Sequence, residues 1–444
     1  MVEPEGEVLV DFEGGGTGAE VLSWGQRDLW RIMQEKHTWL PIGTVRPLPA
    51  GTTVDDAVAD LRFVMSRYPS MRTRLRFDPD GPKQVVSGSG QVPLEIVDVA
   101  DGDDPAEVGE QVRRRYWQKD YDFVTEWPVR MAVIRHRGTL THRVWVMCHL
   151  VTDGTGARVI VSELAEGDTS GSGAALTALE QARWQASPAG QRQCEAALRY
   201  WDKHLRSVPA RRFSERNVQP DSRYWQGTFD SPATQLAVRA IAARTGVEAA
   251  SVLLAVFAVA LARVTGISPV VVQVVASNRF RPGLAQTVSP IMQNGLCVID
   301  VPDVTVDEAV AHTRRRAMTA YKYAYYDPPR LEELIARVSR ERGETVDIGC
   351  YFNDRRLTPR DDSGPAPPPE QICAALGRTS FQWRYKQDYQ RFDKLFINVD
   401  DVPDTVAMTV LTDIHYVSPV DVEACIRGVE DVAVAAALDP ATRT

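Results

Sequence analysis

Residues 144–160 read VWVMCHLVTDGTGARVI. A run of bulky apolar side chains, Val144 to Cys148, ends on His149, and four residues later stands the pair Asp153-Gly154. An apolar, β-branched and aromatic run bounded by an Asp-Gly turn has the signature of a buried strand. Neighbouring side chains on a strand point to opposite faces, so Cys148 and His149 cannot both enter one cavity if the strand continues through them. A small, apolar-tolerant cysteine suits the packed face. That leaves His149 at the strand's end, where an imidazole serves as hydrogen-bond partner or base near neutral pH. Asp153 either stabilises its own turn or holds a cationic partner that fixes the loop. Gly154 permits a backbone shape other residues resist and lets a substrate approach closely. A histidine and an Asp-Gly turn also meet at strand ends without any chemistry, so these residues alone leave a structural and a catalytic role open.

Working outward, 129–135 and 141–149 read as a hairpin turning near Arg137-Gly138-Thr139. Upstream, Ser23 caps an amphipathic helix carrying Leu29, Trp30 and Met33, and 54–67 repeats its apolar residues at helical spacing. Strands are expected at 71–77, 83–86 and 93–97, and a helix at 107–119. The stretch GDTSGSG (167–173) reads as a flexible loop, and a helix at 193–205 closes a first lobe. The second lobe is expected to hold helices at 233–243 and 247–264, then strands at 269–276 and 296–301. Helices near 306–321 and 330–339 follow, with strands near 346–352, 395–399 and 406–411 and a terminal helix over 420–435. The run PRDDSGPAPPPE (359–370) reads as a Pro-rich surface loop. This mixed order gives an α/β class (α+β two-layer lobes), divided into 1–206 and 207–444, and no fixed-period repeat points to a solenoid or propeller.

Composition narrows the function classes. The chain has 444 residues, 44% hydrophobic and 25% charged, which is globular rather than disordered. With 51 basic against 59 acidic residues, a formal charge of -8 argues against non-specific nucleic-acid binding. The basic clusters 113–115 and 314–316 read as solvated helix faces. The opening, MVEPEGEVLVDFEGGG, reads as an acidic, polar leader without the pattern of a secretory signal, and GGG at 14–16 is not followed by GK[ST]. The most apolar stretch, 249–262, is too short to span a bilayer. A cytoplasmic protein without membrane contact is the expectation. Six scattered cysteines without CxxC spacing fit reduced thiols, with no zinc site. The other histidines (37, 136, 142, 204, 312, 415) show no paired spacing, so no metal is expected, and tryptophans such as Trp24, Trp145 and Trp201 read as packing residues.

Read as a motif, CHLVTDG (148–154) resembles the HHxxxDG of the condensation domains of nonribosomal peptide synthetases. These belong to a superfamily with chloramphenicol acetyltransferase and the coenzyme-A-dependent acyltransferases. Further stretches match in order. SWGQRDLW (23–30) resembles the family's SxAQxRLW, and RYPSMRTRLRF (67–77) its RHExLRTxF. ALRYWDKHL (197–205) is similar to its helix after the active-site loop, and 274–301 to its segment from an Arg-containing loop to an Asn-containing strand. GCYFND (349–354) falls where the family has a strand ending in Asn.

The resemblance implies two chloramphenicol-acetyltransferase-like lobes in a V-shaped pseudo-dimer with an interface tunnel. It implies no bound cofactor: an acyl or peptidyl carrier protein presents the acyl thioester on phosphopantetheine, and a small-molecule amine or alcohol accepts it. By position, His149 matches the catalytic histidine and Asp153 the structural Asp. Arg279 matches the Asp's arginine partner, with Arg281 as the fallback. Gly154 would leave room for a pantetheine arm or let a backbone N–H face the oxyanion.

The chain departs from the pattern at several positions. Cys148 stands in place of the first His, as inert core, as a change of specificity or as a nucleophile. Pro290 replaces a Gly, and Tyr325-Tyr326-Asp327-Pro328 replaces a His-Gln-Asp sequence. At about one condensation unit in length the chain is expected to be a freestanding enzyme of specialised metabolism. Two alternatives accompany that reading: an acyl-coenzyme A-dependent acyltransferase, although the DFGWG signature of the plant-type branch is missing, and a docking platform that recruits partner enzymes to a synthetase.

Overall fold

The structure is a computed structural model and describes residues 6–166, 175–213, 222–356, 365–387 and 394–444. Contacts divide it into two compact units, Met1–Arg192 with Ser277–Met292, and Gln193–Ala276 with Gln293–Thr444. The expected division was 206/207. The boundary instead falls between Arg192 and Gln193, and 277–292 belongs with the first unit because its partners lie there. Leu176 donates its N–H to Gly283 O at 2.8 Å, and Gln181 Nε2 donates to Ser289 Oγ at 2.8 Å. Contacts so distant in sequence leave no periodic trace.

The first unit contains β1 (Gly6–Glu13), β2 (Gly18–Val21), α1 (Trp24–Lys36), β3 (Pro41–Pro47), α2 (Val54–Arg67), β4 (Thr73–Asp78) and β5 (Gly81–Val86). β6 (Ser89–Asp98), α3 (Pro105–Gln118), β7 (Val129–His136), β8 (Thr139–Cys148), α4 (Gly154–Glu166) and α5 (Ala178–Ala186) complete it. Five strands form a sheet in the order β1-β6-β7-β8-β3, parallel only between β6 and β7, and β2-β5-β4 form a small antiparallel sheet. Within the stretch expected as a polar leader, Gly6–Glu13 is a strand. Val10 and Phe12 are buried in register against β6 while Leu9, Asp11 and Glu13 face out, and the exposed Leu9 blurs the period of two.

Helices cover both faces of the larger sheet, and the motif strand shows the division. Trp145 and Met147 of β8 pack with Leu61, Val64 and Met65 of α2. Val144, Val146 and Cys148 pack with Val108, Val112 and Tyr116 of α3. A strand buried on both faces needs a nearly continuous apolar run, which is what 144–148 provides. The β7–β8 hairpin turns on Arg137 and Gly138 at φ 51° and 78°, the left-handed pair that a two-residue turn requires.

α6 (Pro188–Ser207) carries the boundary. The second unit continues with β9 (Tyr224–Ser231), α7 (Pro232–Thr245), α8 (Ala249–Thr265), β10 (Val270–Ala276), β11 (Gln293–Ile299), α9 (Val306–Lys322) and α10 (Pro328–Arg342). β12 (Cys350–Asp354), α11 (Pro369–Ala375), β13 (Ser380–Gln387), β14 (Leu395–Asp400), β15 (Val406–Asp413) and α12 (Pro419–Leu438) follow. Seven strands run β11-β10-β12-β14-β15-β9-β13. α8 lies in the core, buried almost all round, which explains a helix apolar on every side. Among the described residues no single helix is long and apolar enough to cross a membrane. The end of the expected Pro-rich loop begins α11, and 167–173 lies outside the described residues.

Candidate functional site

β8 ends at Cys148 and α4 starts at Gly154, so the motif loop is five residues long. Cys148, 1% exposed, turns into the core, where its thiol contacts Trp39 O at 3.4 Å and burial pushes its pKa up to about 12. A thiol so placed stays protonated, which removes the nucleophile reading and leaves it a small core residue. His149 is half-buried and turns away from that core. Its backbone N–H donates to Leu40 O, and its ring Nδ1 lies 2.9 Å from Thr152 O. A carbonyl only accepts, so Nδ1 donates to it, and the tautomer this selects has its lone pair at Nε2. Among the described residues Nε2 meets no hydrogen-bond partner.

Asp153 is 4% exposed and fixes the loop in two directions. Its Oδ1 accepts the Gly156 N–H at 2.8 Å, capping α4, and the Arg279 Nη2 at 2.5 Å. Arg279 also donates Nη1 to Thr287 O at 2.8 Å, which ties 277–292 to the motif loop. The two side chains are 5% and 10% exposed, a buried pair that solvent does not screen. Arg281, the fallback, instead donates Nε to Asn278 Oδ1 at 3.0 Å. Gly154 opens α4 with nothing within 4 Å of where a Cβ would stand.

Three contributors were not legible in the motif. Thr152 acts through its carbonyl, which any residue supplies. Gly156 lies where a Cβ would stand 2.5 Å from Thr152 Oγ1 and 3.4 Å from Val288 Cα. Gln26, 1% exposed and part of the Ser23 capping box, donates Nε2 to Leu150 O at 3.3 Å and braces the loop from α1. The SWGQ stretch also brings Gly25 to a point where a Cβ would meet Pro290 O at 2.2 Å. In RYPSMRTRLRF the fully buried Arg72 donates to Met65 O and Gly15 O, so GGG at 14–16 wraps a structural guanidinium. Farther along α4, Glu163 accepts from Tyr68 Oη at 2.7 Å in the wall of a 380 Å³ cavity that also takes in Thr287 and Val288.

The family model for the condensation domain matches residues 53–353, and the chain belongs to this family. No curated protein matches. Among solved structures, the chain is similar to the domain described for condensation domain-mediated chain release from the enacyloxin polyketide synthase. That pair shares 18% identity with a TM-score of 0.71 over 97% of this chain and 85% of that one. The condensation domain from the Monacolin K polyketide synthase MokA shares 16% identity with a TM-score of 0.74, over 97% of this chain and all of that one (100%). The X-domain from teicoplanin biosynthesis, solved in complex with OxyB, shares 16% identity with a TM-score of 0.68, over 97% and 96% of the two chains. At these identities the likeness shows a common two-lobed condensation-domain fold.

Proposed function

We propose that this condensation domain transfers an acyl or aminoacyl group from the phosphopantetheine thioester of a carrier protein to an amine or alcohol, in the biosynthesis of a nonribosomal-peptide-type metabolite. The observation that carries this reading is the orientation of His149: Nδ1 spent on Thr152 O, Nε2 bare, on a loop anchored by the buried Asp153–Arg279 pair. The acceptor's N–H or O–H donates to Nε2 as its lone pair attacks the thioester carbonyl. Nε2 takes the proton as the new C–N or C–O bond forms, and the proton leaves with the pantetheine sulfur when the C–S bond breaks. Held in this way the imidazole need not reorient, which lowers the barrier by positioning. The N–H groups of Gly154 and Thr155 head α4 once Asp153 has taken Gly156, and the helix terminus favours negative charge developing on the carbonyl oxygen.

The test offers purified protein an acyl group on a cognate carrier and on coenzyme A, with and without candidate amines and alcohols, and follows product by mass. The expected result is carrier-dependent product that falls roughly 10²- to 10⁴-fold in His149→Ala. Equal product from His149→Ala refutes the catalytic assignment. Turnover from coenzyme A alone replaces the donor, and carrier binding without turnover of either donor makes the chain a docking platform.

A further inference from the structure

A second site, independent of the acyl-transfer reading, lies wholly within the second unit, between α6 and α9. Residues 196, 199, 200, 203 and 204 recur at the spacing of one helix face, and 316, 319 and 323 do the same on α9. Together they line an open cavity of 440 Å³. Tyr200 and Tyr323 stack within it, ring centres 4.8 Å apart, and the Tyr200 hydroxyl is fixed on Leu296 O at 2.8 Å.

The charges on its walls have one sign. Arg199, Lys203 and Arg316 line the cavity with His204, and among the described residues no acidic one does. The chain as a whole runs the other way, with 59 acidic against 51 basic residues. On the same two helices other arginines have their counter-ions. Arg206 is held by Asp202 at 3.0 Å and Glu341 at 2.6 Å, and Arg314 by Glu248 at 2.9 Å. Arg199 and Lys203, both exposed, have no hydrogen bond or ion pair among the described residues. Arg316 is only partly neutralised: its Nη2 donates to Asp300 at 3.0 Å, its Nε is buried, and its Nη1 is neither bonded nor buried. The ring nitrogens of His204 are likewise unbonded and open to solvent, so a ligand in the cavity reaches them. Burial, and then the charges of Lys203 and Arg316, hold the His204 pKa below its usual value, so the positive field extends to that ring.

Like charges gathered without an anion repel one another, and an anionic ligand relieves that repulsion. We propose that this cavity binds the dianionic phosphate of a small phosphate monoester, with Arg199 and Lys203, one turn apart on α6, on one side and Arg316 Nη1 on the other. Above its second pKa such a group carries about two negative charges and offers three strong acceptor oxygens, which matches two unpaired cations and a third free donor. A carboxylate brings a single charge and leaves one cation uncompensated. A phosphodiester, the linkage that joins pantetheine to its carrier, also carries a single charge, so the cavity discriminates against it.

The test titrates the full chain at pH 8 and constant ionic strength with methyl phosphate, dimethyl phosphate and acetate, by calorimetry and by melting temperature. Methyl phosphate binds at millimolar concentration or below and raises the melting temperature, and dimethyl phosphate and acetate each bind at least tenfold more weakly. Arg199→Gln and Lys203→Gln, neither of which removes a hydrogen bond or ion pair of the fold, each weaken methyl phosphate at least threefold, and the double variant weakens it at least tenfold. Arg114→Gln, which removes an exposed charge from the first unit, leaves binding unchanged. The proposal is overturned if millimolar methyl phosphate does not bind, if the double variant binds it like the parent, if dimethyl phosphate or acetate binds equally well, or if Arg114→Gln weakens binding as much as the cavity variants do.

Discussion

Replacing Arg279 by Met removes one half of the pair that anchors the motif loop while keeping much of the side chain's volume. Asp153 is then left as a buried carboxylate whose remaining donor is the Gly156 N–H, and Thr287 O loses its guanidinium at 2.8 Å. Removing one partner of a buried ion pair costs about 3–5 kcal/mol. With the two side chains 5% and 10% exposed, solvent screening does not reduce the figure. Against a total stability of about 5–15 kcal/mol, the variant falls to a fraction of the parent's margin. Asp153→Asn in the same background removes the stranded charge and recovers part of the loss, so the double variant is more stable than Arg279→Met. Urea unfolding of the four proteins of this cycle gives the coupling directly, with 0.5–3 kcal/mol the typical range for residues in contact. kcat/KM measured on the same proteins reports whether His149 is misplaced. Losses that simply add, or an Arg279→Met cost below about 1 kcal/mol, refute the claim that this pair anchors the loop.

The two motif glycines should separate. Gly156→Ala drives a Cβ to 2.5 Å from Thr152 Oγ1 and costs about 1–3 kcal/mol with a fall in kcat, whereas Gly154→Ala meets nothing and leaves the melting temperature nearly unchanged. Both are read by thermal unfolding beside single-turnover kinetics, and equal effects contradict the local geometry. Of the six cysteines five are buried and Cys373 is exposed, so iodoacetamide at pH 8 alkylates one thiol per native chain, and mass mapping finds it at Cys373. Cys148, with its pKa pushed up to about 12, stays unlabelled below that pH while the fold persists. Cys148→Ala keeps turnover and costs about 1 kcal/mol for the small cavity, and loss of turnover at full stability revives a direct role for the thiol.

What was legible in the sequence depended on the range of the contact. The 129–149 hairpin and its turn near Arg137-Gly138-Thr139 follow from local alternation and turn chemistry, and α8 from the apolar stretch 249–262, interrupted only by Ser251. The placement of Cys148 against His149 followed from strand parity alone. β1 is not legible because Leu9 between Val8 and Val10, with Glu7, Asp11 and Glu13 around them, masks the alternation of a strand that pairs with β6 over eight residues. Asp153 and Arg279 lie 126 positions apart, and no periodicity joins them; only the motif order pointed to the pair. Thr152 and Gly156 act through a carbonyl and a missing Cβ, properties that residue chemistry does not display. The cavity between α6 and α9 carried no signal either, since a cation without a counter-ion is defined by what surrounds it.

Because Arg279 and Thr287 complete a unit otherwise built from the first 192 residues, a nascent chain reaches Arg192 with Asp153 still lacking its counter-ion. At ~5–20 residues per second, roughly five to twenty seconds of translation pass before the missing segment is made. An expressed fragment ending at 206 never acquires it, so its motif loop keeps the Gly156 and Gln26 contacts but leaves Asp153 without its counter-ion however well the surrounding sheet forms. Splitting this chain at its apparent midpoint therefore yields two fragments, neither of which owns the whole support of the motif loop.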